Sequence, residues 1–222
     1  MYPRVCFGNL GLIFMPLKKV FVFIDSSNLY HGLKDNKLYD CFDYGWMFNE
    51  LSKKFEIKKV FFYDATKDRT IEPDKYAGQQ RFHGRLGKKI PVLTIRQRKL
   101  RYIKSDSRIE KLKESKNYCL HKAVIESFLK ESGLQKLSKE KGIDIMLVTD
   151  LVKGAMQDKY DAALLVTGDA DFVPAVELAQ SFKKEIINVH CYSGSSSELR
   201  NRCDSHIQVD ADAKGNCILK YF

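Results

Sequence analysis

Short apolar runs separated by polar, helix-spaced segments recur along this chain. Residues 20–24 (VFVFI) are uninterrupted apolar positions between a lysine pair and Asp25. That is the pattern of a strand buried on both faces, as in a parallel sheet. Residues 59–63 (KVFFY), 90–95 (IPVLTI), 162–166 (AALLV) and 185–191 (EIINVHC) predict four further strands. Pro91 is tolerable only near the start of its run. Residues 206–209 predict a last short strand. Between these lie helical spacings. Ser26 and Ser27 after Asp25 suit the start of a short helix containing Asn28, Leu29 and Tyr30. Trp46, Met47, Leu51 and Phe55 share a face over 44–55. A helix over 73–86 carries Pro73 in its first turn. Leu120, Val124, Ile125, Phe128 and Leu129 make a further stripe, and helices follow over 172–182 and 195–203. The first positions after Gly142 (IDIMLVT) would also suit a strand. Over 144–158, however, Leu147, Val148, Leu151, Val152 and Ala155 fall on one helical face, with Thr149, Asp150, Lys153, Gly154 and Gln157 on the other. The longer window decides for a helix. Strands alternating with helices predict an α/β domain with a mostly parallel sheet.

The 222 residues suit one large domain with a real core; 44% are hydrophobic and 30% charged, which excludes a disordered chain. No apolar run approaches the ~20 residues of a membrane helix, so a cytoplasmic protein is expected. Residues 1–16 read as a leader, because Met15 opens almost directly onto the first strand. Residues 17–210 read as a single domain, with a basic insertion at about 96–140 and a C-terminal tail over 211–222. The cysteines at 6, 41, 119, 191, 203 and 217 show no C-x-x-C or zinc-finger spacing, so free thiols in a reducing compartment are expected.

The net charge of +10 changes the picture through its distribution. Residues 81–141 hold 18 Lys and Arg against 6 Asp and Glu, and the rest of the chain is close to balanced. A polyanion partner, nucleic acid first, is the natural inference, although lysine-rich helices are often merely solvated. Arg96, Arg98, Lys99, Arg101 and Lys104 crowd together around Tyr102, and Lys141 lies at the far end of the same segment. The cations suit phosphates and the tyrosine suits stacking on a base. Over 96–118 the pattern fits two short antiparallel strands or a loop.

The acidic residues mark where chemistry would sit. In open parallel sheets, sites form beyond the carboxyl ends of strands where the strand order reverses. Asp25 ends the first run, Asp169 and Asp171 follow the fourth, and Asp144 starts a helix. Each has an ordinary alternative: Asp25 and Asp144 as helix caps, Asp169 as a turn residue, and Asp171 as the cap before Phe172. Gathered in one crevice they would repel, at about 4 kcal/mol per pair for ~4 Å and an effective dielectric of 20. Protons or cations would have to relieve them. An oxygen-only set suits Mg2+ or Mn2+ rather than zinc. Asn28, one turn after Asp25, either orients a ligand or bonds locally.

Residues 23–30 (FIDSSNLY), 141–152 (KGIDIMLVTDLV), 160–179 (YDAALLVTGDADFVPAVELA) and 192–210 (YSGSSSELRNRCDSHIQVD) together resemble the NYN domain family, in its LabA-like branch. The resemblance implies a PIN-like three-layer α/β/α fold, with a central five-stranded sheet ordered 3-2-1-4-5, and metal-dependent ribonuclease chemistry. Its acidic positions fall on Asp25, Asp144, Asp169 and Asp171, with Asn28 beside the first; Asp150 also matches but lies on the polar helix face. Residues 96–140 do not match and look like an insertion. The leading expectation is therefore a Mg2+- or Mn2+-dependent endoribonuclease acting on RNA, with DNA and a homodimer left open. The alternative is an RNA-binding or regulatory module of the same fold. A phosphatase is disfavoured because residues 25–27 read Asp-Ser-Ser rather than D-x-D.

Overall fold

The computed structural model describes residues 17–99 and 142–222 in full, together with the backbone of four short strands outside those ranges. Seven strands form one sheet: β1 (Lys19–Asp25), β2 (Glu56–Thr66), β3 (Leu93–Lys99), β4 (Ala162–Val166), β5 (Glu185–Cys191), β6 (Ser205–Ala211) and β7 (Cys217–Tyr221). Their order is β7-β6-β5-β4-β1-β2-β3. Every neighbouring pair is parallel except β6 and β7, which run antiparallel. The expected order 3-2-1-4-5 is present as β3-β2-β1-β4-β5, with β3 at one edge. The correction is in its width, because two strands extend it past β5. β7 lies in the stretch read as a tail; its half-exposed CILKY pattern carries little of the apolar signature of a buried strand.

Alternation along β1 assigns the two cores. Val20, Val22 and Ile24 face one layer with Leu29, Leu33, Met47, Leu51 and Leu86. These side chains come from helices α1 (Ser26–Asp35), α2 (Tyr44–Ser52) and α3 (Pro73–Lys89). Phe23 faces the other layer with Leu147, Leu151, Val176 and Leu199, from α4 (Ile143–Met156), α5 (Val173–Ser181) and α6 (Ser197–Arg202). β4 is buried along its whole length, as a strand covered on both faces must be.

Several boundaries move for identifiable reasons. β3 begins at Leu93 rather than at residue 90, because Ile90 closes α3 by donating its amide to Leu86 O and Pro91 lies in the turn that follows. A 3-10 turn over Ala170–Phe172 precedes α5. Gly154, read on the polar face of its helix, is buried, and a Cβ there would stand 2.7 Å from the Tyr160 ring. In the basic segment, Arg101–Ile103 pairs antiparallel with Leu137–Lys139. The helical stripe expected over 120–129 lies outside the described residues. Near the N-terminus, Val5–Cys6 pairs with Ile13–Phe14.

The free-thiol expectation needs correcting at two positions. Cys41 and Cys217 are joined in a disulfide with their Cα atoms 5.7 Å apart. A sequence separation of 176 residues hides such a pairing from any spacing rule. Cys191 and Cys203 are free and buried. Among the described residues, no helix is long and apolar enough to cross a membrane.

Candidate active site

The sheet reverses between β1 and β4: the chain after β1 enters α1 on one face, and the chain after β4 enters α5 on the other. Asp25 is the last residue of β1 and the N-cap of α1, accepting the Asn28 amide at 3.1 Å. Its second oxygen accepts Thr167 Oγ1 at 3.2 Å, across from the end of β4. The Asn28 side chain also crosses this gap, with its Oδ1 accepting the Gly168 amide at 2.7 Å. Two bonds therefore bind the carboxyl ends of β1 and β4 together. Gly168 fits because it has no side chain: a Cβ there would stand 2.4 Å from Gly194 O.

Asp169 Oδ1 accepts the Asp171 amide at 3.0 Å and caps the 3-10 turn. The capping role considered for Asp171 thus belongs to Asp169, and the Asp171 carboxylate is exposed. Asp144 lies in the first turn of α4, entered through Gly142 in the left-handed region at φ 80°. A Cβ on Gly142 would stand 2.0 Å from an Arg98 guanidinium nitrogen.

The electrostatics tie these carboxylates into one group. Burial pushes the Asp25 carboxyl above its ordinary range; the Asn28 amide opposes this, Asp144 raises it further, the Thr167 hydroxyl opposes, and Asp169 again raises it. The Asp144 carboxyl is also raised, first by the crowding of neighbouring atoms even though much of its surface stays open, then by Asp169 and Asp171. Asp25, Asp144, Asp169 and Asp171 thus share one field of like charge. An all-oxygen set under mutual repulsion fits a hard divalent cation by chemistry and by charge. Among the described residues, however, no three carboxylate, histidine or cysteine side chains close into a group that could by itself hold a metal ion.

The other expected site residues fall elsewhere. Asp150 is held by the Tyr63 hydroxyl at 2.9 Å and by Arg96, whose Nη2 lies 3.2 Å and Nε 3.0 Å from its oxygens. Arg96 also covers the Phe61 ring at 5.5 Å, with 42% of its side chain exposed. Lys99 pairs with Asp68 at 2.9 Å. Arg98 is exposed and lies against the start of α4, two residues before Asp144. Arg101 and Tyr102 lie on the short strand paired with Leu137–Lys139; Lys104 and Lys141 lie outside the described residues.

Two features escaped the sequence reading. Thr167, buried at the end of β4, holds Asp25 in place. Asp64, near the end of β2, accepts Ser26 Oγ at 3.2 Å, Gln79 Nε2 at 2.7 Å and His83 Nε2 at 2.8 Å. The strand-end pattern that marks Asp25 also marks Asp64 in KVFFYD.

Comparison with known proteins bears on the family and the fold. The NYN domain family model matches residues 19–210. The low amplitude and bright protein LabA of Synechococcus elongatus is 29% identical over 96 residues, covering 43% of this chain and 50% of that protein. An uncharacterised protein, y4oD, of Sinorhizobium fredii is 32% identical over 75 residues, covering 32% of this chain and 35% of its own length. The chain thus aligns with half or less of the length of these curated relatives. A crystal structure of a protein of unknown function from Vibrio parahaemolyticus superposes with a TM-score of 0.60 at 17% identity, covering 91% of this chain and 97% of that one. It shares the fold.

Proposed function

Because this chain belongs to the NYN domain family, in its LabA-like branch and within the PIN-like nucleases, we propose that the acidic mouth between β1 and β4 makes it a metal-dependent endoribonuclease. One observation carries this reading: Asp25 and Asp144, from distant parts of the chain, are each raised by burial and then by carboxylates of the same mouth, Asp25 by Asp144 and Asp169, and Asp144 by Asp169 and Asp171. Asp25, Asp144, Asp169 and Asp171 would hold Mg2+ or Mn2+ directly or through waters. The ion would supply a water acidic enough to attack phosphorus and would steady the charge that develops there.

The protein's own groups set the stage for this chemistry. The Asn28 amide and Thr167 hydroxyl orient the Asp25 carboxylate, so that little reorganisation is needed when a cation arrives. Asn28, with its oxygen fixed on Gly168, acts by holding the mouth in shape. Arg98, exposed beside the start of α4, is placed to meet a substrate phosphate, and the basic segment beyond β3 extends that attraction. No nucleophilic side chain is required, so hydrolysis proceeds without a covalent enzyme intermediate.

The test is cleavage of single-stranded and structured RNA with and without Mn2+, by wild type and by Asp169→Asn. The reading expects Mn2+-dependent cleavage that the substitution removes; undiminished activity in the variant would sink the assignment. A second reading, an RNA-binding module without turnover, draws on the absence of a closed metal-ligand group among the described residues. RNA binding that is unaffected by EDTA, with no cleavage on long incubation, would favour it.

A further inference from the structure

The helical layer on the α1 face carries a hollow of about 400 Å3, separate from the acidic mouth, between α1, the loop after it, the start of α2 and the end of α3. Its volume falls in the range of ligand sites. Its walls are aromatic: Tyr30, Tyr39, Phe42, Tyr44 and Phe82 line it, with Arg85 at the rim. The rings meet edge to face, at 5.4 Å between Tyr30 and Tyr39, 5.0 Å between Phe42 and Tyr44, and 5.7 Å between Tyr44 and Phe82. This packing would be ordinary core if it were covered. Instead Tyr39 is 51% exposed and Tyr30 37%.

The charges around the hollow are unbalanced. Asp43 and Lys89 neutralise each other in an ion pair. Arg85 is exposed and makes no ion pair among the described residues, and Lys34 lies 4.5 Å above the Tyr30 ring. Arg81, Arg85 and Lys88 form an exposed row along α3 at helical spacing. Part of the chain's basic excess therefore stands on this helix rather than in the insertion. Lys34 already sits over the Tyr30 ring and stands 5.8 Å from that of Tyr39. Exposed rings bordered by exposed cations have the chemistry that takes up a base and its phosphate.

Tyr30 follows Asp25 by five residues, a rise of about 7–8 Å along α1, so one strand can reach both places. We propose that this hollow is a nucleobase subsite for single-stranded nucleic acid, in which a base stacks on Tyr39, beside the edge-on Tyr30, while Arg85 takes the adjoining phosphate. The proposal rests on the reading of the protein as one that acts on RNA. A plain apolar docking groove would not need the row of cations, and a simple phosphate site would not need the rings.

The experiment uses the full chain in EDTA and a short single-stranded RNA carrying 2-aminopurine, whose fluorescence is quenched on stacking. Tyr39→Ala should weaken binding roughly tenfold and relieve the quench, while Tyr39→Phe keeps both. Arg85→Glu should weaken binding and lower the salt slope by about one. Both positions are exposed, and an unchanged Tm confirms that the variants fold. Wild-type affinity and quench in Tyr39→Ala and Arg85→Glu, from a protein that binds the RNA, would overturn the subsite alone. No RNA binding by wild type would overturn the parent reading with it. Tighter binding by Tyr39→Ala would mean that the chain's own residues occupy the hollow, and would also overturn the subsite.

Discussion

β1 and β2 lie side by side and both carry an aspartate at the carboxyl end, yet the two carboxylates are in opposite circumstances. Asp64 on β2 is met by donors: a serine hydroxyl, a glutamine amide and a histidine ring. Asp25 on β1 accepts one amide and one hydroxyl and otherwise faces carboxylates, which with burial hold its pKa above the ordinary range. Residue type and place in the fold are the same; the partners differ. Asp64 is a solved electrostatic problem that ties α1, α3 and β2 together. The group around Asp25 is left unsolved, and an added cation would complete it. Asp150 belongs with Asp64, because Arg96 and Tyr63 already satisfy it.

The largest effect that could break this contrast is on turnover. Asp169→Asn keeps an oxygen to cap the 3-10 turn but removes a charge from the group, so RNA cleavage with Mn2+ should fall by two or more orders of magnitude. Asp64→Ala should do the reverse. It strands the Gln79, His83 and Ser26 donors in a partly buried place, at about 2–4 kcal/mol of stability, which thermal or urea unfolding would read. Its kcat per folded molecule should stay within a few-fold of wild type. A stable but inactive Asp64→Ala would place Asp64 with the catalytic group and dissolve the distinction.

The two aspartates also show what the chain made legible. Asp25, Asp144, Asp169 and Asp171 could be named from strand ends and helix starts, because a buried apolar run that stops at a carboxylate is a local pattern. The order of the first five strands follows from the family resemblance, and the helix over Ile143–Met156 from periodicity. What could not be read was set by partners far away in sequence. That Arg96 would turn inward to Asp150 depends on a neighbour 54 residues on. The cap at Asp169 depends on φ and ψ in a turn, which sequence leaves open between two candidates two positions apart. The aromatic hollow draws Tyr30, Tyr44 and Phe82 from three helices, and no window along the chain contains them together. The Cys41–Cys217 bond joins the turn after α1 to β7 at the sheet edge, and neither segment carries a motif that announces the pairing.

The smallest effect is the sharpest test of whether the Asp25 group is truly under strain of charge. The folded-state pKa of Asp144 is raised above its unfolded value of 3.8. Below that value the group is protonated in both states and costs nothing. As pH rises from there through the raised folded value, the unfolded chain ionises first, so stability is lost across that window and the cost is fully present above it. Asp144→Asn removes the cost. At neutral pH without metal it should melt higher than wild type, by up to about 3 °C given the side chain's exposure. The gap should close as pH falls toward 3.8. Mn2+ should then raise the wild-type Tm more than that of the variant, since only an ion bound to the folded state stabilises it. An Asp144→Asn protein that melts lower than wild type at neutral pH would show that its carboxylate is already compensated, as Asp64 is, and that the two strand ends do not differ in the way their partners imply.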